Sequence, residues 1–165
     1  MALVLIAGIG NIFLGDDGFG VEVARQLGTV ALPETARVAD FGIRGIHLAY
    51  DVVDRAYSDV ILVDAVSRGA QPGTVFLMDL DSAESKLSAS EIPDAHAMNP
   101  ESVISLIRSI CPTAPKLWLV GCQPAHLAEE MSLSPPVQRA IGEALIMVRS
   151  LAEKLCREPV CPRST

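Results

Sequence analysis

The first twenty residues, MALVLIAGIGNIFLGDDGFG (1–20), contain the unit that decides the fold. Residues 2–7 are almost all apolar, which predicts a buried strand. A glycine turn follows, and residues 18–29 carry apolar side chains at helical spacing, which predicts a helix. A strand, a glycine turn and a helix in this order begin a parallel α/β unit. The same stretch places two acids, Asp16 and Asp17, side by side at the turn.

Strand and helix patterns continue to alternate along the chain. Further strands are predicted at residues 37–40, 59–64, 74–80 and 116–121, and further helices at residues 45–55, 100–110 and 135–155. This alternation predicts an α/β three-layer sandwich, with a mostly parallel five-stranded sheet and helices on both faces. Since no linker or repeat divides the chain, residues 1–156 are expected to form one domain and residues 157–165 a frayed tail.

The composition excludes several classes of protein. The formal net charge is -7 and no cluster of Lys and Arg is present, so we expect no nucleic-acid or membrane partner. No apolar run approaches the about 18 residues of a membrane span, and no signal peptide is evident, which predicts a cytoplasmic protein. The four cysteines are expected to be reduced thiols, with a bond between Cys156 and Cys161 as the alternative.

A dinucleotide site is the first candidate for the glycine turn. Gly8 and Gly10 match the start of the fingerprint, but Phe13 occupies the place of its third glycine. A pyrophosphate there would also face Asp16 and Asp17. We therefore reject this interpretation and expect no organic cofactor.

The acids at this edge of the sheet favour a cation instead. Asp16 is expected to be a turn or helix-cap residue and Asp17 the functional group, because two adjacent carboxylates repel unless a cation neutralises them. Asp64 ends a hydrophobic strand, where an unpaired carboxylate is costly. A role as a cap for the next loop is the alternative, but the carboxyl edge of such a sheet is where ligands bind.

Among the three histidines, His96 is the candidate ligand, because it lies in a long polar loop with no core role suggested by its neighbours. His47 lies in a predicted helix, where it is expected to be on the surface or to pack on the side of the helix, and His126 is expected to be structural. Two carboxylates and one imidazole would form an open site for Zn²⁺, Ni²⁺ or a similar ion. With only three ligands, the site is expected to bind free metal weakly.

Several motifs resemble those of one family. These are GIGNIFLGDDGFGV (8–21), DFGIRG (40–45), ILVDA (61–65), the isolated His96 and LVGCQP (119–124). Their sequence and order are similar to those of the hydrogenase maturation endopeptidases, over nearly the whole chain. The opening motif, in combination with VDA and LVGxxP, is the specific part of the resemblance.

The resemblance implies an enzyme that removes a C-terminal peptide from the large-subunit precursor of a nickel–iron hydrogenase after nickel insertion. Nickel bound to the precursor would be the recognition signal, and no other cofactor is implied. The metal-contacting residues of the family fall on Asp17, Asp64 and His96. Some members carry DGGTxG where this chain has DFGIRG, but Gly42 and Gly45 remain and are expected to bind substrate.

The residues leave the chemistry of cleavage open. No Ser–His–Asp or Cys–His set is present, so a metal-activated water or a carboxylate general base, Asp17 or Asp40, are the two alternatives. The protein is expected to be a monomer, and the hydrogenase large-subunit precursor is its expected partner. The alternative function is a non-catalytic checkpoint that binds nickel and holds the precursor without cutting it.

Overall fold

A computed structural model describes residues 2–82 and 100–159 of the chain. The strands are β1 (Val4–Ile9), β2 (Ala36–Gly42), β3 (Asp59–Ala65), β4 (Val75–Asp79) and β5 (Lys116–Cys122). The helices are α1 (Phe19–Leu27), α2 (Gly45–Arg55), α3 (Pro100–Ile110) and α4 (Pro135–Arg157), and a 3-10 turn, Gly15–Gly18, precedes α1. No helix of the described residues is long and apolar enough to cross a membrane.

The five strands form one sheet in the order β2-β1-β3-β5-β4. The first four run parallel, and β4 pairs antiparallel with β5 at one edge. Helices α1 and α4 pack on one face of the sheet, and α2 and α3 pack on the other. The predicted α/β three-layer sandwich with a mostly parallel five-stranded sheet is therefore confirmed.

The strand β1 explains why a short apolar run specifies this architecture. Val4 and Ile6 point into the core with α1 and α4, whereas Leu5 and Ala7 point into the core with α2 and α3. A central parallel strand is buried on both faces, so it needs apolar residues at consecutive positions rather than at alternate ones. All six residues of β1 are buried.

Most elements differ from their predicted ranges by one to two residues at one or both ends, and three of these differences bear on the site or on the packing of the helices. The strand β1 continues to Ile9, into the predicted glycine turn, because Gly8 pairs with Val63 of β3 and Ile9 pairs with Gly42 of β2. The helix α1 starts at Phe19 after the separate 3-10 turn, and α4 extends to Arg157. The helices α2 and α3 match their predicted ranges, and the division between residues 156 and 157 stays a prediction.

Two facing glycines, Gly20 of α1 and Gly8 of β1, let α1 lie directly against the sheet beneath the turn that carries the two acids. A Cβ on Gly20 would overlap the backbone carbonyl oxygens of Val63 and Ile9. These oxygens belong to strands and cannot move aside, because their sheet pairing fixes them. Gly20 therefore sets the distance between the helix and the ends of β1 and β3.

We expect Gly20→Ala to destabilise the protein by about 1–3 kcal/mol, as other overpacked cores do. Gly142 provides the control, because it lies in α4 and a Cβ there would meet nothing within 4 Å. Gly142→Ala should stabilise the protein by about 0.5–1 kcal/mol through its helix propensity. Urea unfolding of both variants measures the difference, and equal effects of the two substitutions would contradict close packing at Gly20.

Candidate active site

The loops that follow β1, β2, β3 and β5 meet at the carboxyl edge of the sheet. The Gly10 N–H donates to the Gly42 carbonyl oxygen at 3.0 Å, which joins the first two of these loops. Gly42 has a φ of 52°, in the left-handed region that favours glycine. Ligands of sheets of this kind bind at this edge.

Asp64 lies at this edge, near the end of β3, and its side chain is buried. It is 1% exposed, and its Oδ1 accepts a hydrogen bond from the Ala65 N–H at 2.8 Å. Burial, and then the charge of Asp17, raise the pKa of Asp64 well above its ordinary value, and the Ala65 bond offsets only part of this. The local bond satisfies one carboxylate oxygen, but it does not balance a buried negative charge.

Asp17 lies in the 3-10 turn and is half-buried. Its Oδ2 accepts a hydrogen bond from the Asn11 N–H at 2.7 Å, and the Asn11 Oδ1 accepts one from the Phe13 N–H at 2.9 Å. Burial raises the pKa of Asp17, and the bond from Asn11 opposes this rise. The asparagine of the opening motif therefore fixes both the turn and the acid.

Gly10 packs against both acidic residues, and the charge of Asp17 acts on Asp64. A Cβ on Gly10 would lie 3.2 Å from the Asp64 Oδ1 and would overlap the Asp17 backbone oxygen. Its φ of 129° is also one that side chains disfavour. Within residues 2–82 and 100–159, neither carboxylate is in an ion pair with Lys or Arg. Two adjacent, desolvated carboxylates without a cation can bind a metal ion or hold a proton.

Asp16 lies in the turn, as one of its two predicted roles requires, but it does not cap a helix. It is fully buried, and neither the 3-10 turn nor α1 has a side-chain cap. Its carboxylate accepts hydrogen bonds from the N–H groups of Ala125, His126 and Ser134 and from the Ser134 hydroxyl, at 2.6–3.2 Å. The expectation of a local cap is therefore wrong, because every one of these donors lies more than a hundred residues away.

The hydrogen bonds to Asp16 also decide its ionisation. Burial alone would raise its pKa, but the bonds from Ser134, Ala125 and His126 outweigh burial and lower the pKa below its ordinary value. Asp16 therefore stays ionised and holds the loop after β5 against the turn. Of the two adjacent acids, one is used for structure and the other is left beside Asp64.

The other residues predicted from the glycine motif lie at the same edge. Asp40 is exposed near the end of β2, where it pairs in register with Gly8. The Arg44 guanidinium donates to the Asp40 backbone carbonyl at 2.8 Å. Gly45 is buried and begins α2. A catalytic role for Asp40 and substrate binding by Gly42 and Gly45 stay predictions.

The predicted histidine ligand, His96, lies outside the described residues. In the part of the chain that the structure describes, no group of three or more His, Cys, Asp or Glu side chains is placed to hold a metal ion. His47 is exposed on α2, and the His126 Nε2 lies 4.0 Å from the Glu130 carboxylate. The structure thus brings Asp17 and Asp64 together. His96 as the third metal ligand stays a prediction.

Sequence reasoning missed two side chains that shape this edge. Gln123 is 6% exposed, and its Oε1 accepts hydrogen bonds from the N–H groups of Arg68 and Ala70, in the loop after β3. Ser134 directly precedes α4, in the position of a helix cap, but its hydroxyl donates to Asp16 instead. A polar residue directly after a buried strand was the available signal for Gln123.

Comparison with known proteins places these features in a family. The family model described as hydrogenase maturation protease matches residues 21–151. The hydrogenase expression/formation protein HupD of Rhodobacter capsulatus is 35% identical over 86% of this chain and 67% of its own length. The hydrogenase 2 maturation protease of Escherichia coli is 31% identical over 88% of this chain and 87% of its own length.

Solved structures agree with the sequence relatives. The hydrogenase maturating endopeptidase HybD from Escherichia coli superposes with a TM-score of 0.72 at 29% identity, covering 93% of both chains. The hydrogenase 2 maturation peptidase from a Thaumarchaeota archaeon superposes with a TM-score of 0.64 at 31% identity, over 90% of this chain and 96% of that one. The predicted resemblance is confirmed, and the chain belongs to the hydrogenase maturation protease family, whose members are endopeptidases.

Proposed function

We propose that this protein removes the C-terminal extension of a nickel–iron hydrogenase large-subunit precursor, and that it acts after nickel has been inserted. In this proposal Asp17, Asp64 and His96 contact nickel that is part of the precursor. The nickel thus belongs to the substrate. The observation that carries the proposal is the pair of adjacent carboxylates, one fully buried, at the ligand-binding edge of the sheet.

The chemistry of this pair supports a cation as part of the substrate. Burial raises the pKa of both acids, and the charge of Asp17 raises the pKa of Asp64 further, so the empty pair is electrostatically unfavourable when ionised. A divalent ion removes that repulsion, and carboxylate oxygens are common metal ligands. Two protein carboxylates leave most of the coordination shell to other ligands, which suits an ion that the precursor already holds.

The protein holds these acids in place before any substrate arrives. The Ala65 N–H orients Asp64, and the Asn11 N–H orients Asp17. Preorganised ligands need no rearrangement when the precursor binds, so a peptide bond next to the nickel would be brought to a fixed position. Precursor without nickel would meet two repelling carboxylates and would bind weakly.

A carboxylate base is one way to complete the reaction. Asp17 is the less buried of the pair, so it can accept a proton from a water molecule that attacks the scissile carbonyl. The exposed Asp40 is the second candidate base at this edge. A water activated by the precursor's nickel remains the alternative, and in that case the acids only position the ion.

Incubation of the purified protein with nickel-loaded and nickel-free precursor tests the proposal. We expect mass spectrometry to detect loss of the C-terminal peptide from the nickel-loaded precursor alone. His96→Ala should abolish this cleavage, and His47→Ala, on an exposed part of α2, should leave it unchanged. Equal cleavage of both precursors would refute nickel recognition, and stable binding without cleavage would favour a checkpoint.

A further inference from the structure

Four large apolar side chains are exposed on two segments near the acid pair. These are Ile12 at 41%, Phe13 at 60%, Leu127 at 52% and Met131 at 71% exposed. The segments lie in the loops after β1 and β5, at the carboxyl edge of the sheet. Exposed apolar groups that cluster in one region, with charged groups around them, are typical of interaction sites.

Hydrogen bonds hold the two segments together. The Glu130 N–H donates to the Phe13 carbonyl oxygen at 3.1 Å, and the Gly15 N–H donates to the Glu130 carbonyl oxygen at 2.6 Å. The buried carboxylate of Asp16 adds its bonds to Ala125, His126 and Ser134. The apolar side chains therefore project from an anchored backbone, and their exposure does not come from a loosely held loop.

The surface adjoins the proposed nickel contact. Asn11, which bonds Asp17, directly precedes Ile12 and Phe13 and accepts a hydrogen bond from the Phe13 N–H. A chain that reaches the acid pair with its nickel would therefore pass beside these side chains. A partner that binds here would be held next to the site of cleavage.

The charge of the two segments selects the chemistry of that partner. Residues 8–21 and 125–134 contain four acids and no Lys or Arg. Asp16 is buried, but Glu129 and Glu130 are exposed on the same loop as Leu127 and Met131. An apolar surface among carboxylates favours a segment with apolar residues next to Lys or Arg.

We propose that Ile12, Phe13, Leu127 and Met131 form an apolar platform that binds a cationic, apolar segment of the hydrogenase precursor near its cleavage site. This inference rests on the proposed function, because the precursor is the partner. The platform adds a second contact to the nickel contact. It would let the enzyme distinguish its own precursor from other nickel proteins.

Cleavage kinetics of a Leu127→Ser/Met131→Ser variant test the platform. We expect KM for the nickel-loaded precursor to rise at least about tenfold, with a smaller change in kcat, because both side chains bind substrate without contacting the reacting atoms. Ile146→Ser is the matched control, because Ile146 is 70% exposed on α4. The control should keep the wild-type KM within about twofold.

The charge contribution is tested separately with Glu129→Lys, which should also raise KM, and more strongly at low than at high salt. An unchanged KM for Glu129→Lys would refute the cationic nature of the partner segment. An unchanged KM for the double variant, with normal wild-type cleavage, would overturn the platform and leave the proposed function intact. If the wild type binds the precursor without cutting it, the proposed function fails, and loss of that binding in the double variant would still support the platform.

Discussion

The Asp64→Asn variant is expected to cleave the nickel-loaded precursor at a rate at least about 100-fold lower than the wild type. At pH 7 the same variant is expected to be more stable than the wild type. Asparagine keeps the Oδ1 that accepts the hydrogen bond from the Ala65 N–H. It also removes the negative charge of a residue that is only 1% exposed. Most substitutions of buried residues destabilise a protein, so gain of stability with loss of function identifies a group kept for its chemistry. Each kcal/mol gained would raise Tm by about 2–4 °C.

The stability difference between Asp64→Asn and the wild type should depend on pH in a defined direction. Burial and the charge of Asp17 raise the pKa of Asp64 in the folded state above the ordinary value of 3.8. Below pH 3.8 the Asp64 carboxyl therefore has no effect on the free energy of unfolding. As the pH rises from 3.8 to the raised pKa, the folded state loses stability, because the buried group has to ionise. Above the raised pKa the loss is complete. The variant should be more stable at neutral pH, and its advantage should vanish near pH 4.

Asp17→Asn provides the companion measurement. Asp17 is half-buried and its pKa is raised by burial, so its substitution should also remove cleavage, with a smaller gain in stability. Calorimetric melting curves between pH 4 and pH 8, together with the cleavage assay, measure both effects. Normal cleavage by either variant would contradict the assigned pair, and a loss of stability at pH 7 in Asp64→Asn would contradict the electrostatic account.

The largest loss of stability is expected from Asp16→Asn, at about 3–5 kcal/mol. The carboxylate accepts four hydrogen bonds, one at Oδ1 and three at Oδ2, and asparagine keeps only one of the two oxygens, so its amide NH₂ would face the donors of the other. Buried N–H groups without an acceptor are costly, and bonds to a charged acceptor are stronger than neutral ones. Unfolding in urea measures the loss directly.

Ser134→Ala separates the single hydroxyl bond from the rest of this network. It removes one donor to Asp16 and leaves the Ser134 N–H in place, so a loss of about 1–2 kcal/mol is expected. Both variants should also weaken precursor binding, because the loop with Leu127 and Met131 depends on the same bonds. If Asp16→Asn loses less stability than Ser134→Ala, the carboxylate does not hold this loop.

The bounds of a helix or strand could be predicted from the sequence where neighbouring residues alone determine them. Helices α2 and α3 have their predicted bounds because apolar periodicity and the start at Pro100 leave little choice. The end of β1 was predicted too early, because Gly8 reads locally as a turn residue. In the sheet it lies between Asp40 and Val63, whose strands hold it in extended conformation.

A site residue could be predicted from the sequence only where its place at the end of a strand marked it. Asp64 stands out in the sequence because an acid ends an apolar strand, and the structure buries it beside Asp17. The roles of Asp16 and Ser134 could not be read locally, because their bond joins residues 118 positions apart. Such partners are known only after the sheet and helices have brought the loops together.

The central claim, that the acid pair contacts nickel held by the precursor, is tested most directly by X-ray absorption at the nickel K-edge. Nickel-loaded precursor would be measured alone and after rapid freezing with the protein, before cleavage is complete. We predict additional oxygen ligands in the mixture with the wild type, and the spectrum of the free precursor in mixtures with Asp17→Asn or Asp64→Asn. An unchanged nickel spectrum in a wild-type mixture that goes on to cleave the precursor would contradict this account.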